Sequence, residues 1–136
     1  MNKILARVTA TVLTIISFVA MADQDLSYQT VNDNLDLRNN TKLHVKEYWK
    51  SVQNQQVTWS GEVFDVQEGH GSRVKILIAD KSRPLYKGYN IVITTTDVSK
   101  AANVKKGQRI KFNGTLSDHK LQRTGAVLEV TNAQLL

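Results

Sequence analysis

Cysteine is absent from this sequence, and proline occurs once in 136 residues. Without cysteine, the chain can form no disulfide and can offer no thiolate to a zinc ion. Aromatic residues make up only 7% of the chain, which leaves few rings on which a base could stack. The fold must therefore be stabilised by an ordinary apolar core.

Recognisable catalytic motifs are also missing. The three histidines, His44, His70 and His119, do not have the His-x-x-x-His spacing of a metal site. The chain has no Gly-x-Ser-x-Gly elbow and no glycine-rich loop that would cradle a phosphate. We expect His70 and His119 in the first and last hairpin loops, as solvated side chains rather than a shared metal site. The sequence thus predicts no metal, no cofactor and no catalytic residue, and a protein that is not an enzyme.

The N-terminal segment has the pattern of a secretory signal peptide. Lys3 and Arg7 precede an apolar run over residues 8–19, and Ala20-Met21-Ala22 supplies the small residues of a cleavage site. The alternative is a membrane anchor, but the run is shorter than the ~20 residues that span a bilayer. No cysteine follows it to carry a lipid. We expect cleavage after Ala22, a periplasmic or secreted product, and no membrane span after cleavage.

Charge is distributed unevenly along the expected product. The whole chain has a net charge of +6. Residues 23–72 carry four basic and eight acidic side chains, for a net charge of −4, whereas residues 73–136 carry twelve basic and four acidic, for a net charge of +8. Such asymmetry favours a polyanionic partner. An equally good interpretation is a soluble protein with an acidic N-terminal segment.

Apolar periodicity predicts a mainly β fold, with signal peptide 1–22, a flexible or loosely docked acidic leader 23–40, and one domain 41–136. Alternation around Trp59 marks a first strand. The parity of its apolar residues changes after Val63, and Gly61 within this stretch indicates a β-bulge. The predicted elements are a helix at 40–53, strands at 56–66, 73–78, 89–95, 110–116 and 126–130, a short helix after Asp97, and a polar loop at 117–124. This order is that of a five-stranded OB-fold Greek-key barrel, with an N-terminal helix and a short helix between strands three and four.

Two segments carry a family resemblance. Residues 57–63 read Val-Thr-Trp-Ser-Gly-Glu-Val, and residues 104–114 read Val-Lys-Lys-Gly-Gln-Arg-Ile-Lys-Phe-Asn-Gly. With the preceding helix, they make the chain resemble small exported bacterial OB-fold proteins of the tRNA-anti-like family, over roughly residues 43–136. The resemblance implies an OB-fold and, through the family's name, a link to nucleic acid. It implies no specific activity.

Basic residues mark the expected ligand face. OB-folds bind ligands on strands two and three and in the loops at the rim, where cations would neutralise phosphates. Tyr86 is the one expected stacking platform, whereas Tyr89 shares the parity of Ile91 and is expected in the core. The predicted ligand-binding residues are Arg73, Lys75, Arg83, Tyr86, Lys87, Lys120 and Arg123.

Two functional hypotheses follow from these patterns. The first is a periplasmic binding module for an anionic ligand such as single-stranded nucleic acid. The alternative is a protein- or envelope-interaction factor, associated with stress, exclusion or secretion, that works through the acidic leader and the 40–53 helix and has no nucleic-acid role. The sequence predicts neither an oligomeric state nor the identity of a ligand.

Overall fold

The computed structural model of the protein describes residues 26–136, so the predicted signal peptide and the first residues of the leader lie outside the described part. The predicted fold class is confirmed: five strands close into a barrel in the order β1-β2-β3-β5-β4. The elements are α1 Tyr28–Asn34, α2 Lys42–Val52, β1 Gln56–Glu68, β2 Val74–Ala79, β3 Ile91–Thr95, α3 Val98–Ala102, β4 Arg109–Gln122 and β5 Gly125–Leu135.

The barrel closes because β1 is long and bent enough to pair with two strands. Its first half is antiparallel to β4 and its second half is antiparallel to β2. The ring is completed by the parallel pair β3–β5, in which Ile93 lies opposite Val130. The interior is filled by alternating apolar side chains from all five strands, which follows from the period of two in a strand. They include Val57, Trp59, Val63, Ile76, Ile78, Ile91, Ile93, Phe112, Leu116, Leu128 and Val130.

The predicted change of parity in β1 after Val63 is confirmed, but the bulge is not at Gly61 itself. The register shifts between Val63 and Asp65, which leaves Phe64 as the extra residue. Gly61 has a different role, because a Cβ at this position would overlap the Cγ2 atom of Ile78. The strands approach closely at the glycine, and the change of face occurs three residues later.

The leader differs from the prediction of a flexible or loosely docked arm. The Ser27 hydroxyl accepts a hydrogen bond from the Thr30 amide and caps α1. Tyr28, Val31 and Leu35 are buried in the core of the molecule. Burial raises the pKa of Tyr28 above its usual value, so this phenol stays protonated. The sequence did not predict helix α1, because the apolar residues of this short helix occupy only one of its faces.

A single asparagine joins α1 to the barrel. Asn32 is 2% exposed, and its Oδ1 accepts a hydrogen bond from the Ala126 amide at 3.0 Å. Its Nδ2 donates to the Ala126 carbonyl at 3.3 Å and to the Tyr28 hydroxyl at 2.6 Å. A polar residue at a fully buried position is stable only with such partners. Asn32 therefore fixes α1 against the first residues of β5.

The predicted helix at 40–53 is confirmed as α2. The Thr41 hydroxyl accepts a hydrogen bond from the His44 amide and caps the helix. Val45, Trp49 and Val52 face the core. The short helix after Asp97 is also confirmed as α3, because the Asp97 carboxylate accepts a hydrogen bond from the Lys100 amide.

The polar loop predicted at 117–124 is wrong. β4 continues to Gln122, and only Arg123 and Thr124 separate it from β5. This extension forms a two-stranded ribbon, hereafter the β4–β5 ribbon. One of its faces carries His119 and Leu121, and the other carries Asp118, Lys120 and Gln122. Because Leu121 is the single apolar residue among residues 117–122, the segment lacks the alternation of apolar and polar residues from which strands are recognised.

Candidate ligand-binding face

The loop between β2 and β3, residues 80–90, is held in one conformation by a buried asparagine. The side chain of Asn90 is fully buried; its Oδ1 accepts from the Asp80 amide at 2.8 Å, and its Nδ2 donates to the Asp80 carbonyl at 2.7 Å. At the tip, the Tyr86 amide donates to the Tyr89 carbonyl at 2.8 Å. The two central residues, Lys87 and Gly88, have φ angles of 56° and 98°, which places Lys87 at the exposed end of a tight turn.

This turn faces the β4–β5 ribbon across a cleft of about 390 Å³. We call it the aromatic cleft; its lining residues are Tyr86, Lys87, Tyr89, Lys120, Gln122 and Val127. The Tyr86 hydroxyl and the Thr124 hydroxyl share a hydrogen bond of 2.8 Å. This bond connects the two walls of the cleft, so Tyr86 supports the wall rather than standing free as a platform.

Two aromatic rings, those of Tyr89 and Phe64, lie at the edge of the aromatic cleft. Tyr89 is half-buried rather than in the core, because β3 begins at Ile91 and not at residue 89. Its ring centroid is 6.2 Å from that of Phe64, which is 43% exposed. Gly88 is required beside them, since a Cβ there would overlap the Phe64 ring. The β1 bulge therefore turns Phe64 outward to extend the aromatic surface.

The charge of this face is mixed. Within residues 26–136, neither Lys87 nor Lys120 has a carboxylate within 4.0 Å. Beyond Lys120, however, Asp118 and Glu129 are paired across the β4–β5 ribbon. On the opposite side, Asp65 lies 3.8 Å from the ammonium of Lys106. The cationic part of the face is thus confined to the cleft itself.

The seven predicted site residues do not converge on one groove. Tyr86, Lys87 and Lys120 line the aromatic cleft, and Arg123 lies exposed in the turn at its rim. Lys75 is half-buried on β2, opposite Gln67 and Thr94.

The other two arginines lie apart from the cleft. Arg73 lies at the far end of β2 in a separate cleft with Thr94, Thr96 and Thr131. Arg83 forms an ion pair with Asp33 of α1 and is only 23% exposed. Because Arg83 is paired with Asp33 of α1, it is not available to a ligand on this face.

The sequence placed His119 in a solvated loop, but the structure places it on β4 against Trp49, with ring centroids 4.2 Å apart. Desolvation by burial lowers the pKa of His119. His70 is exposed in the β1–β2 loop, and His44 lies 2.9 Å from the Asn34 amide oxygen. Over residues 26–136, no three histidine or acidic side chains are grouped as a metal site would require.

No helix within residues 26–136 has the length and hydropathy needed to cross a membrane.

Comparison with known proteins adds little to this geometry. No family model and no curated protein matches the chain. A solved structure described as "putative nucleic acid-binding lipoprotein from Klebsiella pneumoniae subsp. pneumoniae MGH 78578" shares 9% identity, with a TM-score of 0.47 over 66% of this chain and 76% of that one. Another, "OBody AM3L09 bound to hen egg-white lysozyme", shares 14% identity, with a TM-score of 0.45 over 63% and 85%.

Similarity this distant carries no information about the ligand of this chain. The tRNA-anti-like resemblance stays a prediction, whereas the small closed barrel that it implied is observed.

Proposed function

We propose that this protein is a non-catalytic OB-fold module of the tRNA-anti-like kind, and that its anionic ligand is single-stranded nucleic acid bound at the aromatic cleft. The observation that carries the proposal is the combination of rings and free cations in one place. Tyr89 lines the cleft, and the Phe64 ring lies beside it, with the two ring centroids 6.2 Å apart. Lys87 and Lys120 border the cleft without acidic partners among residues 26–136.

Each component has a defined physical role. A base stacked on Tyr89 or Phe64 would contribute about 1–3 kcal/mol, irrespective of its identity. Lys87 and Lys120 would neutralise phosphates and release their counterions. Beyond Lys120, Asp118 and Glu129 would repel phosphates, so the strand would not continue along that side of the ribbon.

The absence of catalysis is part of the proposal. A general acid or base must lie within hydrogen-bond reach of the substrate. The residues that line the aromatic cleft include no histidine and no carboxylate. His119, the histidine with a lowered pKa, lies on the opposite face of the β4–β5 ribbon. We therefore expect binding without turnover.

A salt titration of oligonucleotide binding tests this function. A fluorescent single strand of about 12 nucleotides matches the 4–16 nucleotides that OB-folds cover, and we expect it to bind at low salt. In the double variant Lys87→Gln with Lys120→Gln, affinity should fall. The slope of log K against log salt should become shallower by about 1.4, from roughly 0.7 per phosphate contact. Tyr89→Ala should weaken binding without changing the slope.

The matched control is Lys105→Gln with Lys106→Gln, which removes the same charge from exposed positions before β4. It should leave the slope within error of the unaltered protein. Equal loss in both double variants would mean that binding follows net charge and not the cleft. Absence of any binding at low salt would contradict the proposed function.

The site of action belongs to the same proposal. We propose that residues 1–22 direct export to the periplasm and are removed there, because their sequence has the basic, apolar and small-residue regions of a signal peptide. Cell fractionation followed by N-terminal sequencing checks this, with Asp23 expected as the first residue. A cytoplasmic protein that retains Met1 would contradict it.

The alternative, a protein- or envelope-interaction factor, would use the acidic leader and helix α2. In the described part of the leader, Tyr28, Val31 and Leu35 are buried against the barrel, so these three side chains would not contact a partner. Helix α2 would contact it through its exposed side, where Lys42 and Lys46 lie.

A further inference from the structure

A second groove lies on the opposite face of the β4–β5 ribbon from the aromatic cleft. We call it the α2 groove; its volume is about 380 Å³, and its apolar lining residues are Leu37, Val45, Trp49 and Leu121, with His119 among them. A volume of this size falls within the roughly 300–1,000 Å³ of small-molecule pockets, which are mostly apolar with a few polar groups. Leu121 is 41% exposed, so part of this apolar surface is open to solvent.

One side of the α2 groove is formed by a row of lysines. Lys42, Lys46 and Lys50 all line it, and their spacing of four residues stacks them along one side of the helix, about 6 Å apart. Lys50 pairs with Glu47 at 3.1 Å. Within residues 26–136, Lys42 and Lys46 have no carboxylate within 4.0 Å. The row therefore keeps an uncompensated positive charge, although like charges four residues apart repel each other.

The lysines and the apolar floor complement each other. The methylene stem of a lysine lies along apolar surface while its ammonium reaches water, so the row both widens the apolar floor and places cations at its rim. Trp49 is packed against His119, and the Nδ1 atom of His119 is buried without a hydrogen-bond partner within residues 26–136. The groove thus presents an apolar body with a cationic edge.

We propose that the α2 groove is a binding site for a small amphipathic anion, a single apolar chain that ends in a carboxylate. The chain would lie over Val45, Trp49 and Leu121, and the carboxylate would be held by Lys42 and Lys46. A neutral chain would lose the charge interaction, and a cationic one would be repelled. The volume of about 380 Å³ is that of a site for one small ligand.

Isothermal titration with decanoate, below its micelle concentration, tests this proposal on the mature chain. We expect saturable 1:1 binding and a change in Trp49 fluorescence. Octanoate should bind about 16-fold more weakly, since each buried methylene changes affinity about fourfold. Decanol should bind more weakly than decanoate, and decyltrimethylammonium should not bind.

Variants locate the site. Lys42→Gln with Lys46→Gln should weaken decanoate binding at least tenfold and change decanol binding much less. The control is Lys105→Gln with Lys106→Gln, which should bind decanoate normally. Leu121→Ser, at an exposed position, should weaken both ligands. Equal binding of the anionic and cationic chains, or no effect of the Lys42 and Lys46 changes, would overturn the proposal.

Two further results distinguish this proposal from a membrane-contact face and from the oligonucleotide site. Binding seen only with vesicles of anionic phospholipid, and not with free decanoate, would show a membrane-contact face and overturn the proposal. The oligonucleotide assay serves as an independent readout. Because the two sites lie on opposite faces of the ribbon, loss of decanoate binding in the Lys42 and Lys46 variant should leave oligonucleotide binding intact.

Discussion

At the scale of single residues, the informative side chains are polar ones that are buried and apolar ones that are exposed. Asn32 and Asn90 are polar and buried, and each satisfies its amide with backbone groups. Phe64 is apolar and 43% exposed. The asparagines fix α1 and the β2–β3 loop, and Phe64 extends the aromatic surface. None of the three could be assigned from the sequence, because their partners depend on contacts between distant segments and on where the bulge lies.

His119 makes a residue-scale prediction about pH. Its pKa is lowered by burial from the usual value of 6.5, so the unfolded chain binds more protons than the folded one below that value. Stability should therefore decrease as the pH falls below about 6.5. In His119→Phe, which keeps an aromatic ring against Trp49, this part of the pH dependence should disappear. Urea unfolding at pH 7.5 and pH 5.5 measures the difference.

The control for His119 is His70→Gln, because His70 is exposed in the β1–β2 loop. This variant should keep the pH dependence of the unaltered protein. If His119→Phe and His70→Gln respond to pH in the same way, burial of His119 makes no contribution to the acid sensitivity.

At the scale of elements, the sequence predicted those segments whose apolar side chains follow one period. Helix α2 was found because Val45, Trp49 and Val52 form one stripe. Helix α1 was missed because Tyr28, Val31 and Leu35 are sparse among polar residues and its key contact reaches 94 residues along the chain. The β4–β5 ribbon was missed for a related reason, since Leu121 is the single apolar residue among residues 117–122 of β4. One wall of the aromatic cleft is formed by this ribbon, so only Tyr86, Lys87 and Lys120 of its lining were anticipated.

The docking of α1 on β5 gives an element-scale prediction. Asn32→Leu keeps the size of the side chain but leaves the Ala126 amide and carbonyl without their side-chain partner. An unsatisfied buried polar group costs about 1–3 kcal/mol, so the free energy of unfolding should fall by about that amount. Equilibrium urea unfolding, followed by tryptophan fluorescence, measures it.

The matched control for Asn32 is Asn39→Leu, at an exposed position after α1. It should change the free energy of unfolding by less than about 0.5 kcal/mol. If Asn32→Leu lowered the free energy of unfolding by less than about 0.5 kcal/mol, the hydrogen bonds between α1 and β5 would contribute little to the stability of the barrel.

At the scale of the whole molecule, the barrel presents two surfaces of different chemistry on either side of one ribbon. Residues of one parity on β4 face the aromatic cleft, and those of the other parity face the α2 groove. Helix α1 lowers the positive charge of the ligand face, since Asp33 pairs with Arg83. The net charge of residues 73–136 therefore overstates how basic the ligand face is. Only the folded chain shows which cations remain free.

The most direct test of nucleic-acid binding at the aromatic cleft is an NMR experiment on the mature chain. The chain is labelled with ¹⁵N and titrated with the same single-stranded oligonucleotide at low salt. We predict shifts for the amides of Tyr86, Lys87, Tyr89 and Lys120, and for Phe64, with Lys42 and Lys46 unchanged. A map without shifts at the aromatic cleft, or with shifts centred on the α2 groove, would contradict it.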